Sequence, residues 1–311
     1  MESCELYKKV KKGAFLLMPN QMKKCHLCGG ENLRLKYSLG LCKIYQCQKC
    51  KLVFTDQDSL KSKKGKDMYS QEYFLEIHPN FFREGGTDYQ KYLTKSKKLQ
   101  AFLREVKALK RHKPNGTLLD IGCATGVFLD MAKREGFKTY GVELSEYAAK
   151  HAKEKFNLEV FNGKLEDSKF KKKMFDVITM WDLIEHVPDP VGMLRKAKEL
   201  LKDDGLIVIQ TTNDDSFMCN SADLIYRITG GIISKPTALV HPIHHITHFS
   251  KRTLLNTLKM NGLSPIRIET SEIPLDNVEG NKAVKAIVAC MYACAWALNS
   301  HFEIKVVAKK L

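Results

Sequence analysis

No apolar run in the 311 residues is long enough to cross a bilayer. The longest, AIVACMYACAWAL at 286–298, has 13 residues, against about 20 for a spanning helix. It reads as a buried helix. The first twenty residues, MESCELYKKVKKGAFLLMPN, lack the order of a secretory leader: acids precede the bases, and the apolar run is only five residues long. No internal repeat or low-complexity segment is evident, which leaves a globular chain of ordinary composition, 44% hydrophobic and 28% charged. The expectation is a soluble, cytoplasmic protein with one large domain and a small one.

Acidic residues are scarce at one end only. Residues 1–113 hold 25 Lys/Arg against 11 Asp/Glu, whereas residues 114–311 hold 26 against 24. Nearly all of the formal net charge of +16 therefore sits in the first third. Two readings stay open for that end. One is an anionic partner (nucleic acid, a phosphorylated or nucleotide-linked substrate, or an acidic membrane surface), and the other is a solvated basic face.

Residues 1–66 comprise a cysteine-rich unit, CHLC…CQKC, and a polar linker, DQDSLKSKKGK, at 56–66. Residues 67–113 bring an aromatic stretch and then a helix over about 87–111, with Tyr92, Leu99, Leu103 and Val106 at helical spacing. Tyr69, Tyr73 and Phe74 either fold over a cleft as a lid or pack as linker. From 114 to 311 the pattern alternates. TLLDIG, KTYGVEL, LEVFNG, FDVITMW and GLIVIQTT read as strands, with helical segments such as VFLDMAKREG, SEYAAKHAKEKF (Ser145 as N-cap) and VGMLRKAKELL between them. PIRIET, an apolar helix at 283–298 and FEIKVVAKK close the chain. Apolar strands alternating with helices predict an α/β fold: a parallel sheet covered on both faces.

The first of those strands runs into LLDIGCATG at 118–126. A dinucleotide fold needs G-x-G-x-x-G to approach a pyrophosphate. Here the small residues are Gly122, Ala124 and Gly126, Val127 stands at the third glycine position, and Asp120 would repel a diphosphate. A cofactor with an adenosine, no phosphate and a cationic amino-acid tail removes both objections. Glu143, 23 residues after Asp120 at the end of the second strand, is placed to bind ribose hydroxyls.

These motifs resemble the class I S-adenosylmethionine-dependent methyltransferases. DIGCATG is similar to their acidic glycine loop, with Ala124 for the middle glycine. GVEL is similar to their ribose-binding acid, and FDVITMWDLIEHVPDP to the fourth strand and the Glu-His-Val-x-Asp-Pro turn of one large branch. DDGLIVIQTTN and HHITHFSKRTLLNTLKMNGL resemble the fifth strand and the segment after the sheet. The resemblance covers about 114–311. It implies a Rossmann-like, doubly wound, mostly parallel seven-stranded sheet whose last strand is antiparallel. It also implies S-adenosyl-L-methionine as cofactor, held by Asp120, Gly122, Cys123, Gly126, Glu143 and Leu144. Leu165 and Glu166 would flank the adenine, and Trp181 and Asp182 the methionine part.

Cys25-x2-Cys28, eighteen residues, then Cys47-x2-Cys50 is the spacing of a four-thiolate zinc ribbon, here a small N-terminal module. Zn2+ with four sulfur ligands keeps no site for water and is structural. His26 and Cys42 are weaker ligand candidates, and a redox role for the two pairs is the competing reading.

For catalysis, His186 follows the fourth strand at the cofactor edge and could take an acceptor proton, or could merely cap the turn. His241, His244, His245 and His248 would share one face of a helix, which invites a metal. Pro242 and the lack of a nearby acidic cluster favour a substrate-side loop instead, with His245 and His248 lining the acceptor pocket or serving the structure. The leading expectation is methylation of a small molecule or glycan, O-methylation above C-methylation. Sugar C-methyltransferases resemble the zinc-first arrangement but carry a further C-terminal domain, whereas this chain stops after FEIKVVAKK. The alternative is an RNA methyltransferase gripping nucleic acid with its basic zinc end, as in some ribosomal-RNA guanine methyltransferases. Against it, no Asn/Asp-Pro-Pro-Tyr/Phe segment follows the fourth strand. A non-catalytic scaffold and a weak membrane-surface contact stay open.

Overall fold

A computed structural model describes residues 24–40, 42–56, 97–275, 278 and 281–311. Most of the basic N-terminus, the linker, Tyr69, Tyr73 and Phe74, and the first turns of the helix expected from 87 lie outside the described residues.

Three strands come first: β1 (Leu33–Leu39), β2 (Cys42–Cys47) and β3 (Val53–Thr55). Helix α1 (Lys97–His112) leads into the alternating region. There β4 (Thr117–Ile121), α2 (Val127–Arg134), β5 (Lys138–Glu143), α3 (Glu146–Phe156) and β6 (Glu159–Asn162) follow. Next are β7 (Phe175–Trp181), α4 (Pro190–Leu200) and β8 (Leu201–Thr212). A helical pair, α5 (Phe217–Ile228) and α6 (Lys235–Val240), precedes β9 (Thr247–His248) and α7 (Lys251–Met260). The chain closes with β10 (Leu263–Ser271), α8 (Lys282–Ala297) and β11 (Glu303–Lys310).

Seven strands form one sheet in the order β10-β11-β8-β7-β4-β5-β6. Strands β4 to β8 pair in parallel, and β11 runs antiparallel to both of its neighbours. The alternation implies the parallel strands, and the whole is the Rossmann-like, mostly parallel sheet that the methyltransferase resemblance implies. Side chains alternate between its two faces. Leu118, Val177 and Val208 pack with α1, α2 and α3. Leu119, Ile121, Ile178, Met180, Ile207 and Ile209 pack with α4, α7 and the cysteine-rich unit.

The local signals hold at several helix ends. The Ser145 hydroxyl caps α3 by accepting from Ala148 N, and Asp189 caps α4 by accepting from Gly192 N at 2.8 Å, with Pro190 at the first helical position. Strand β8 begins earlier than Gly205, because Leu201 pairs with Phe175 across a bulge; the charged run Lys202, Asp203 and Asp204 conceals this from a hydrophobic reading. The expectation that 286–298 is a buried helix is wrong. In α8 only Val288 and Ala295 are buried, while Ile287, Trp296 and Leu298 are exposed. One stripe packs on α5, and nothing among the described residues covers the other side. No helix of the described residues is long and apolar enough to cross a membrane.

A second sheet has the order β1-β2-β3-β9. Its fourth strand lies about two hundred residues along the chain from its third, so the cysteine-rich unit and the larger domain share one sheet. A buried charge cluster ties them again. Lys36 Nζ lies 3.1 Å from Asp214 Oδ2, and His241 Nε2 lies 2.6 Å from Asp214 Oδ1. His241 Nδ1 meets the Thr237 carbonyl at 3.1 Å. The Thr237 carbonyl can only accept, so Nδ1 donates to it and Nε2 faces the Asp214 carboxyl. Burial alone would raise the Asp214 carboxyl, but the His241 bond and the Lys36 charge hold it well below the usual carboxylate range.

Removing one partner of such a cluster strands the other charges. Asp214→Ala is expected to cost about 3–5 kcal/mol in urea unfolding, and a loss below about 1 kcal/mol would mean that the cluster is not a joint. The sign with pH follows from the depressed carboxyl: its contribution is complete above the unfolded value of about 3.9 and lost as pH falls below it.

Candidate active site

The loop after β4 is shaped by three residues with left-handed backbone: Gly122 at φ 73°, Ala124 at 48° and Gly126 at 83°. Glycine is required at two of them. A Cβ on Gly122 would come within 2.9 Å of Leu183, and one on Gly126 within 2.6 Å of Leu158 and 2.9 Å of Ala152 on α3. Ala124 tolerates its φ because Glu143 holds it. Glu143 Oε2 accepts from Ala124 N and Oε1 from Ser145 N, both at 2.8 Å. The carboxylate thus spans the ends of β4 and β5, and burial pushes its pKa up. Cys123 is buried with its sulfur in the space that a side chain on Gly141 would fill.

Asp120 stands at the mouth of this loop, 2% exposed. Burial raises its carboxyl to about 8; the Thr179 hydroxyl, donating at 2.6 Å, opposes that rise and the Glu143 charge adds to it. The two residues are register partners on β4 and β7. Thr179 therefore belongs to the site, although the sequence reading passed over it. Two strands further, Leu144 is half-exposed beyond Glu143. Leu165 is buried and Glu166 exposed on the short helix Leu165–Asp167 after β6.

At the end of β7 the Trp181 ring packs on Phe102 and Phe128, with centroids 5.1 and 5.0 Å away. Its buried indole N–H has no hydrogen-bond partner among the described residues. Asp182 follows with φ 48°, its amide donating to Gln210 O.

The next turn, Ile184–His186, brings in the histidines. His186 Nδ1 lies 3.1 Å from the His244 carbonyl. A carbonyl only accepts, so Nδ1 carries the proton and Nε2 keeps its lone pair. Burial lowers the His186 pKa, which favours the neutral ring. The His244 ring stacks on it at 5.3 Å and 17°, and the His245 ring meets it edge-on at 4.7 Å. His245 is buried, its Nδ1 has no partner among the described residues, and burial holds its pKa well below the ordinary value. His248 stands behind: it is buried, 4.8 Å from the His241 ring, with Nε2 3.0 Å from Thr55 Oγ1. The four histidines of 241–248 do not share a helix, since α6 ends at Val240 and β9 begins at Thr247.

On the small sheet the four cysteines converge. Cys25 and Cys50 sulfurs lie 3.5 Å apart, Cys28 and Cys47 3.6 Å, and one sulfur from each of the four falls within 4.8 Å of the others. Each pair sits on a tight turn: Gly29 N donates to Cys25 O and Lys51 N to Cys47 O, with Gly29 and Lys51 both at φ 66°. Cys42 is buried apart from them, in the cluster of Tyr37 and Ile44.

This geometry stands beside three comparisons. Residues 89–268, more than half of the chain, match the family described as methyltransferase domain. The chain belongs to this family. An uncharacterized protein of Methanocaldococcus jannaschii is 36% identical over 139 residues, which cover 45% of this chain and 64% of that protein. A ubiquinone biosynthesis O-methyltransferase of Actinobacillus pleuropneumoniae is 33% identical over 106 residues, 31% of this chain and 45% of that enzyme. The matches thus span less than two thirds of the length of these relatives. Among solved structures, the geranyl diphosphate C-methyltransferase of Streptomyces coelicolor is similar with a TM-score of 0.50 and 17% identity, covering 73% of this chain and 87% of that one. That is a likeness of fold alone.

Thr179→Val removes the hydroxyl that favours ionised Asp120. The expected outcome is an Asp120 titration, followed by carboxyl 13C NMR, that moves up from about 8 by on the order of one unit. An unchanged midpoint would show that the hydroxyl does not act on the carboxyl.

Proposed function

We propose that this protein is an S-adenosylmethionine-dependent methyltransferase that methylates an oxygen of a small molecule or sugar-linked acceptor, with His186 as general base. The observation that carries the reading is the His186 bond to the His244 carbonyl, which leaves Nε2 bare and neutral. His186 itself lies one short turn after Trp181, past the carboxyl end of a strand in the methyltransferase-domain sheet. The O-methyltransferase among the relatives supports oxygen as the atom methylated.

The residues fit the cofactor on their own chemistry. Asp120 is a buried carboxyl at the glycine loop with no cation paired to it among the described residues, and Trp181 offers a buried N–H without a partner among them. Asp120, Gly122, Cys123, Gly126, Glu143 and Leu144 would hold the amino-acid tail and ribose, Leu165 and Glu166 the adenine, and Trp181 and Asp182 the methionine part. When bound, S-adenosylmethionine supplies an electrophilic methyl carbon whose sulfonium is neutralised on transfer. The chain contributes orientation and one proton acceptor: His186 Nε2 takes the hydroxyl proton while the acceptor oxygen bonds to the methyl carbon. His245 lines the acceptor side, and His248 supports it from behind.

The four cysteines we assign to a structural zinc ion. Thiolates on a tetrahedral zinc at about 2.3 Å are about 3.8 Å apart, close to the 3.5 and 3.6 Å observed, and four sulfurs leave no position for a reacting group. Amides of Cys50 and Lys49 bring the Cys47 thiol down to about 7 against its burial, while burial pushes the Cys25 thiol up to about 11 and the Cys50 thiol up as well.

Three results test the reading. First, labelled methyl from S-adenosylmethionine should enter RNase-resistant sugar, lipid-linked or small-metabolite fractions of a lysate, and His186→Gln should cut that transfer by roughly 10²–10⁴ with cofactor binding unchanged. Label confined to RNase-sensitive RNA would overturn the acceptor class. Second, with Asp120 near 8 when the site is empty, binding a cation at pH 7 ionises it and releases a proton. Calorimetry in two buffers should detect that proton, and affinity should rise from pH 6 toward 8 by up to about tenfold per unit; pH-independent affinity excludes the Asp120 role. Third, the purified protein should contain one zinc per chain, and Cys47→Ser should lose it. Retention of the metal in that variant would count against the four-cysteine site.

A further inference from the structure

We propose that the cysteine-rich sheet positions the methyl-transfer site, and that Thr55 of that sheet is the positioning residue that keeps His186 in the tautomer a base requires. The inference rests on the reading of His186 as base.

The segment 244–248 is clamped between two elements. On one side is the turn that carries His186: the His244 carbonyl accepts from His186 Nδ1 at 3.1 Å, and Ile246 N donates to Glu185 O at 2.8 Å. On the other side is the small sheet. Val53 and Phe54 pair with His248 and Thr247, and the His26 ring, between the first two cysteines, reaches the Thr247 hydroxyl at 2.9 Å. Thr55 makes the closest grip. Its amide donates to Ile246 O at 2.9 Å, and its hydroxyl donates to His245 O at 2.7 Å. It therefore fixes the two peptide planes that follow the His244–His245 peptide.

The hydroxyl has a single proton, and that proton goes to the His245 carbonyl. Its oxygen must then accept from His248 Nε2, 3.0 Å away, which makes His248 the Nε2–H tautomer. Thr55 is 1% exposed, so water cannot replace a bond lost there. The His244 carbonyl is the group that decides which His186 nitrogen carries the proton, and it belongs to the peptide next to those Thr55 holds. Strand β3 itself starts three residues after Cys50, with Cys47 N bonded to Leu52 O. The route from the thiolates to the base is thus a short run of backbone hydrogen bonds.

The test reads the tautomer directly. In 15N-histidine-labelled protein, long-range 1H–15N spectra near pH 7.5, assigned with His186→Gln, should show His186 protonated at Nδ1 only. Thr55→Val keeps the shape and removes the hydroxyl. It should give a mixture of His186 tautomers and a loss of at least about tenfold in methyl transfer into the same lysate fraction, part of the roughly 10²–10⁴ a base provides, with S-adenosylmethionine affinity unchanged. Thr55→Ser should restore the wild-type spectrum. Should Thr55→Val fail to fold, Thr247→Val, which loses the His26 bond, should shift the spectrum in the same direction. A pure Nδ1–H signal in the folded valine variants would overturn the proposal. A mixed signal with undiminished transfer would support the positioning by Thr55 and overturn His186 as base, so the two claims fail separately.

Discussion

The carboxylate of Glu143 is the interaction on which the site depends. By accepting from the amides of Ala124 and Ser145 it joins the glycine loop to the start of α3 and stabilises a loop that alternates left-handed residues. Left-handed backbone disfavours Ala124 by about 1–2 kcal/mol, and two hydrogen bonds to a buried, charged group offset a cost of that order. With the loop fixed, Asp120 is enclosed between β5 and β7, where desolvation pushes its carboxyl up to about 8. A phosphate would meet acidic groups at that mouth; a positively charged ligand meets groups that become more favourable on binding it.

A second constraint is that two sheets share the segment around β9. A cysteine-rich unit this small buries little surface of its own, and here it is completed by a strand and a charge cluster from the larger domain. Leu27, Leu52 and Phe54 enter the same apolar core as Leu254 and Leu258 of α7. The unit therefore shares the core of the larger domain rather than standing apart from it. The same sharing places four histidines, His241, His245 and His248 buried and His244 half-buried, where solvent cannot mask their hydrogen-bond choices.

Much of this was legible in the sequence because it depends on local chemistry. Apolar strands alternating with helices imply the sheet, Ser145 and Asp189 are capping types in capping positions, and the two Cys-x2-Cys pairs imply their own turns. Asp120 and Glu143 could be named because each lies at a strand end whose position the hydrophobic pattern marks. The pattern failed for the helix at 286–298, where apolar composition suggested burial but only one stripe finds a partner, and for β8, whose first residues are polar.

Residues that act across the fold were not legible. The pairing of Asp120 with Thr179 depends on the register of two parallel strands, and no local pattern specifies register between strands separated by a helix. Strand β9 has two residues, too few for any periodicity, and Thr55 meets His248 across 193 positions. By itself the sequence determined the strand–helix order, the glycine loop with its acids and the paired cysteines, since backbone propensity and side-chain charge act over a few residues. Only the tertiary structure decided that His186 Nδ1 meets the His244 carbonyl, that His241 meets Asp214, and that Thr55 meets His245 and His248, because each is a contact between buried groups far apart in the chain.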